Sequence, residues 1–270
     1  MQSVRANGIE IAYVERGTGE ETIVFSHSYL VDHRHFDAQI ESLSANYRVI
    51  AFDHRDHGRS QKTPAAYSLD DLVTDAVGLI RGTESAPCHF VGLSTGGFIG
   101  LRLALRHPDL LRSLVLMDTS AAAEPALKRL KYRAMFLVLR FLGFGPLMPS
   151  VTGLMFGPAL LEDSERAGEL ALWSDRMRAN DRLALIRFGN AIFARDSVLA
   201  DLERIAVPSL IVVGENDRPQ PPARARQMAD GIPDARLEIV PRAGHLSSVD
   251  APEFVTETLT RFLDGLPATA

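Results

Sequence analysis

The chain has 270 residues, 46% of them hydrophobic, with 29 basic against 34 acidic side chains and a net charge of −5. That suits one large α/β domain with a sizeable core and room for an insertion. The acidic balance and the lack of a basic run argue against a nucleic-acid or anionic-membrane partner, and the single Cys88 excludes an internal disulfide, in keeping with a cytoplasmic location.

Residues 3–15 read as a hairpin turning at Asn7-Gly8, a strong two-residue turn signal. A strand this early leaves no charged-then-apolar signal segment. Thr22–Ser26 reads as a strand, followed by the loop His27-Ser28-Tyr29-Leu30. A helix over 35–43 and a strand over Arg48–Phe52 come next, then a helix over 68–80 that opens on a Ser68-x-x-Asp71 cap. The strand at 88–91 carries Cys88, which reads as a buried, inert thiol. A helix over 98–105 and a strand over 113–117 complete this half. The strands are near-continuous apolar runs, as a parallel sheet covered on both faces requires.

After Asp118 the pattern changes. Between 119 and 200 no strand is evident, while Ala126–Leu142 and 165–193 have helical periodicity, separated by a Gly/Pro-rich stretch over 143–158. The longest apolar stretch, 135–144, is interrupted by Arg140 and is too short to cross a bilayer. The β-α alternation resumes with strands at 209–213 and 237–240. This predicts a core from residues 1–118 and 201–270 and a helical cap from 119–200. Sites in open α/β sheets lie beyond the carboxyl ends of the strands, where this insertion emerges.

The chemistry is carried by Gly92-Leu93-Ser94-Thr95-Gly96-Gly97, at a strand-to-helix junction. A serine at such a sharp turn is a nucleophile elbow. The turn brings backbones together two residues before and two after the serine, where Gly92 and Gly96 stand. Asp217 follows the strand at 209–213, and His245 follows the strand at 237–240. Ser94 needs a base, and an imidazole titrating near ~6.5 can take and return its proton. Asp217 would orient the other ring nitrogen and stabilise the imidazolium. Asp118 is a rival for that role, with a helix cap as its structural alternative. Backbone N–H groups of Thr95 and Tyr29 are the candidate oxyanion donors. The Tyr29 phenol either faces the pocket or packs under the cap. Met135, Phe144 and Trp173 in the insertion suggest an apolar substrate pocket. Asp32-His33-Arg34-His35 could gather two imidazoles, but the chain has no helical H-x-x-x-H pair and no closed Cys/His set. No metal or other cofactor is expected.

Together, Phe25-Ser26-His27-Ser28, Asp53-His54-Arg55-Asp56-His57-Gly58-Arg59-Ser60, the Ser94 elbow, Gly214-Glu215-Asn216-Asp217 and Gly244-His245 resemble the α/β-hydrolase fold over essentially the whole length. Within that fold the chain is most similar to the 3-oxoadipate enol-lactonase group and to cofactor-free perhydrolase-like esterases. The resemblance implies a metal-free hydrolase acting on a small-molecule ester or lactone, as a monomer or a homo-oligomer. A C–C bond hydrolase, a perhydrolase and a slow-turnover ligand-binding receptor of the same fold stay open. Two positions depart from the family pattern. Ser28 replaces the usual glycine of the oxyanion loop, and Asp56 replaces the first glycine of the Asp53 loop. Aspartate is tolerable at Asp56 if that position needs positive φ.

Overall fold

The computed structural model describes residues 1–267. Its centre is an eight-stranded sheet. The strands are β1 (Gln2–Ala6), β2 (Ile9–Arg16), β3 (Thr22–Ser26), β4 (Arg48–Phe52), β5 (Cys88–Leu93), β6 (Leu111–Met117), β7 (Ser209–Gly214) and β8 (Arg236–Val240). They lie in the order β1-β2-β4-β3-β5-β6-β7-β8. The β1–β2 and β2–β4 pairs are antiparallel, and all later neighbours are parallel. The first hairpin turns at Asn7 and Gly8, with φ 47° and 79°. Two consecutive positive φ values match the right-handed twist of the flanking strands, which is why Asn-Gly serves there.

Helices α1 (Asp37–Leu43), α2 (Leu69–Gly82) and α3 (Thr95–Arg106) follow strands of the first half. Helix α2 starts at a capping box in which the Ser68 hydroxyl and the Asp71 carboxylate each satisfy the other's backbone N–H. The sheet sorts its side chains by strand period. On β3, Val24 faces the layer of α2 and α3, while Ile23 and Phe25 face the layer containing Ile40 of α1. Both layers are predominantly apolar around the central strands, and β3 and β5 are buried along their whole length.

Strands stop at Met117 and resume at Ser209. Between them lie α4 (Ala126–Leu142), α5 (Met148–Met155), α6 (Pro158–Leu161), α7 (Ala167–Arg178) and α8 (Arg182–Phe193). Two details differ from the sequence reading. The stretch at 143–158 holds α5 and the start of α6, because Pro149 and Pro158 stand in the first turn of each helix, where a missing N–H costs nothing. The single helical run at 165–193 is two helices, since the Asp181 carboxylate caps the N–H of Ala184 at 2.7 Å and starts α8 afresh. The chain closes with α9 (Pro222–Gly231), α10 (Ser247–Asp250) and α11 (Pro252–Asp264). No helix among the described residues is long and apolar enough to cross a membrane.

Candidate active site

Ser94 sits between β5 and α3 with φ 53° and ψ −102°. A non-glycine residue there is strained by about 1–3 kcal/mol, so its surroundings must hold it. They do so through the backbone. Its N–H donates to Met117 at 2.8 Å, and its carbonyl accepts from the Thr119 hydroxyl at 2.8 Å. The two flanking glycines are obligatory by space. A Cβ on Gly92 would lie 2.3 Å from the Gly96 carbonyl, and one on Gly96 would lie 2.0 Å from the Ser26 oxygen.

The three residues singled out at strand ends meet here. Ser94 Oγ is 2.9 Å from His245 Nε2, and His245 Nδ1 is 2.9 Å from Asp217 Oδ2. The other Asp217 oxygen accepts the Gln220 N–H at 2.8 Å, which fixes the carboxylate's orientation. All three side chains are buried. Burial pulls the His245 pKa down, but the Asp217 charge and hydrogen bond outweigh it, and the imidazole titrates above its ordinary value.

Asp118 is close by, yet bonded elsewhere. Its Oδ1 accepts from the Gly214 N–H at 2.8 Å, and its Oδ2 from the Ser247 hydroxyl at 2.5 Å. It therefore ties β7 to Ser247 at the start of α10, instead of capping the helix that follows it in sequence. Burial and the neighbouring Asp217 push its carboxyl well above the usual carboxylate range. Asp250 does similar work on the other side of His245, accepting from the N–H groups of Gly244 at 2.6 Å and Gly157 at 2.8 Å.

Strands β3 and β5 are parallel neighbours with Ser26 beside Gly92, so the loop after β3 lies against the elbow. Tyr29 and Ser94 line the same cavity. Thr95 is the first residue of α3, where a helix leaves N–H groups without intrahelical partners. The Tyr29 phenol donates to the Leu185 carbonyl at 2.9 Å and stacks parallel to Phe188, so it packs under the insertion. The Ser28 hydroxyl lines the cavity, is buried and has no hydrogen-bond partner among the described residues. Its chemical interest was invisible in sequence, where it read only as a departure from glycine.

The early histidines brace this loop. His27 Nδ1 donates to the Ser28 carbonyl at 2.7 Å, and its Nε2 accepts the His54 N–H at 2.8 Å. Burial drives His27 and His57 down to about 3 and His54 well below its ordinary value, so all three are neutral. Asp56 has φ 66°. Its carboxylate accepts from the Thr63 N–H at 2.7 Å, from Tyr67 at 2.9 Å and from Arg187 of α8 at 3.1 Å. Asp32, His33 and Asp53 form a cluster whose donor atoms lie within 4.8 Å of one another. Both Asp32 oxygens are engaged by Arg34, and Asp53 by His33 and the Arg59 N–H, which leaves the set poorly suited to a metal. Cys88 is buried, and burial raises its thiol to about 12, far from a reactive thiolate.

Above Ser94 is an apolar cavity of ≈110 Å³. Met135 and Phe136 of α4, Phe144, Met155 of α5 and Phe193 of α8 contribute to its wall, as do Pro219 and Gln220 beside Asp217. Met135 and Phe144 both line it. Trp173 does not. It lies on α7, is buried within the apolar cluster and carries the Arg176 guanidinium 4.6 Å above its ring. Apolarity alone had marked it, and apolarity does not separate a packed side chain from a cavity wall.

Comparison with known proteins agrees with this architecture. RutD of Pseudomonas syringae pv. syringae (strain B728a), provisionally named a carbamate hydrolase, is 30% identical over 258 residues, covering 91% of this chain and 95% of its own. The 3-oxoadipate enol-lactonase 2 of Acinetobacter baylyi is 26% identical, covering 93% and 92%. The crystal structure of the enol-lactonase from Burkholderia xenovorans LB400 superposes with a TM-score of 0.89 at 28% identity, over 97% of this chain and all of that one. The alpha/beta hydrolase fold family matches residues 21–252. With its parallel sheet, its Ser94 elbow and that match, this chain belongs to the alpha/beta hydrolase fold family.

Proposed function

We propose that the protein is a serine hydrolase that cleaves a carboxylic ester or a lactone through an acyl-enzyme on Ser94. The observation that carries this reading is the unbroken chain from Ser94 Oγ to His245 to Asp217, with both links at 2.9 Å. His245 Nε2 takes the hydroxyl proton as Oγ attacks the carbonyl carbon. The N–H groups of Thr95 and Tyr29 receive the developing oxyanion. His245 then gives its proton to the leaving alkoxide, and the acyl group stays on Ser94. A water, deprotonated by His245, attacks the ester so formed. The acid leaves with one oxygen from that water, and Ser94 regains its proton. Asp217 holds the Nδ1 proton throughout and stabilises the imidazolium. The apolar cavity favours an uncharged, small-molecule acyl group or lactone ring. The enol-lactonase relatives act on a bond of this kind by name.

The test is covalent labelling combined with turnover. A fluorophosphonate should label the protein in a one-to-one ratio and abolish hydrolysis of p-nitrophenyl acetate. Ser94→Ala should block labelling and remove roughly 10⁴–10⁶ of kcat. A Ser94→Ala protein that still labels, or keeps a tenth of the wild-type rate, would sink the assignment.

A further inference from the structure

Helix α4 is apolar on two opposite faces, and the fold accounts for only one of them. Tyr132, Met135, Phe136 and Leu139 point inward and line the cavity. On the outer side Leu127, Leu130, Leu137 and Phe141 are 80%, 63%, 60% and 72% exposed, with exposed Ala134 between them. Their successive spacings of 3, 4, 3 and 4 residues gather all five within about 80° of the helix circumference. This is not scattered surface apolarity. The large hydrophobics exposed among the described residues are Met1 and eight side chains of the insertion, five of them on α4.

The charges on the same helix select the occupant. Helix α4 contains Lys128, Arg129, Lys131, Arg133 and Arg140 and no acidic residue, in a chain whose net charge is −5. Lys128 is paired with Glu124 at 3.6 Å. By helical position, Arg129, Arg133 and Arg140 border the stripe on one side and Lys131 on the other. None of these four makes an ion pair among the described residues. A second copy seated on this face would set one cationic border against another. A bilayer with anionic headgroups takes both features at once, the stripe below the headgroups and the cations at phosphate level. The overall negative charge is no obstacle, because fields in physiological salt fall away over about 8 Å and the local charge decides.

We propose that the outer face of α4 seats the protein on an anionic lipid surface, with the helix lying in the interface plane. No uninterrupted basic run stands in the sequence, because Leu130 and Tyr132 break up Lys128, Arg129, Lys131 and Arg133. The proposal does not depend on the chemistry assigned to Ser94. Flotation tests it, with vesicles of phosphatidylcholine alone or with about a third phosphatidylglycerol. The wild-type protein should float at least tenfold more with the anionic vesicles, and rising salt should release it. L137E/F141E should lose flotation, as should R129E/R133E/R140E, while both variants keep the wild-type unfolding temperature. Equal recovery with both vesicle types, or none with either, would overturn the proposal. So would sedimentation showing a dimer that L137E/F141E converts to monomer, since the stripe would then be a self-interface.

Discussion

Two carboxylates lie near His245, and their hydrogen bonds give them different tasks. Asp217 binds the imidazole directly at 2.9 Å, whereas Asp118 binds Gly214 and Ser247. Burial and the neighbouring Asp217 push the Asp118 carboxyl well above the usual carboxylate range, and His245 is raised mainly by the charge and hydrogen bond of Asp217, with Asp118 adding to it. As the proposed base, His245 works only when neutral. A raised imidazole pKa therefore places the acid limb of kcat/KM above the ordinary value of ~6.5, with activity lost as pH falls through it. Asp217→Asn removes the larger of the two raising influences and leaves burial opposed only by Asp118. Its limb should move to lower pH while kcat falls by about 10⁴, from loss of the correct tautomer. Asp118→Asn keeps an acceptor for Gly214 and a polar contact for Ser247. Its limb should move less than that of Asp217→Asn, with its rate within about tenfold of wild type. Paired pH–rate profiles decide this. A limb that moves in Asp118→Asn and not in Asp217→Asn would exchange the two roles.

At the scale of elements, the insertion is fastened to the core through polar links that include the ion pairs Asp56 with Arg187, Arg102 with Asp196 and Arg242 with Glu162. The Asp56 carboxylate is fully buried and the Arg187 guanidinium is partly exposed. Arg187→Met should keep much of the packing while leaving Asp56 short of a charged partner, at a cost of about 2 kcal/mol. Thermal unfolding should show that loss, and KM should rise more than kcat falls, because α8 carries part of the cavity wall. An unchanged unfolding temperature and KM would mean that α8 is held by its apolar contacts alone. The core strands were legible in the sequence because β3, β4 and β5 are short apolar runs bounded by turn residues, a pattern that burial on both faces imposes. The insertion was legible as helical but not as five helices. Pro149 reads as a breaker in a linear scan, and only its place in the first turn of α5 makes it compatible with a helix.

Over the whole molecule, the meeting of Ser94, His245 and Asp217 was readable because each stands shortly after a strand, and a parallel sheet brings strand ends to one edge. The cavity wall was less readable. Met135 and Trp173 look equivalent in sequence, and only the helix each sits on separates wall from packing. That difference yields a prediction about selectivity. The cavity above Ser94 is small, ≈110 Å³, and apolar. In a series of straight-chain p-nitrophenyl esters, each buried CH₂ should add about 0.8 kcal/mol, roughly fourfold in kcat/KM, until the cavity is full. Longer chains should then lose rate, since overfilling a packed wall forces side chains off their rotamers. Met135→Ala and Phe144→Ala remove wall atoms and should move the optimum to longer acyl groups. Trp173→Ala should lower stability by about 3–5 kcal/mol, as for a buried aromatic, and leave the optimum where it was. A kcat/KM that climbs steadily through long-chain esters, indifferent to Met135 and Phe144, would show that the acyl group binds outside this cavity.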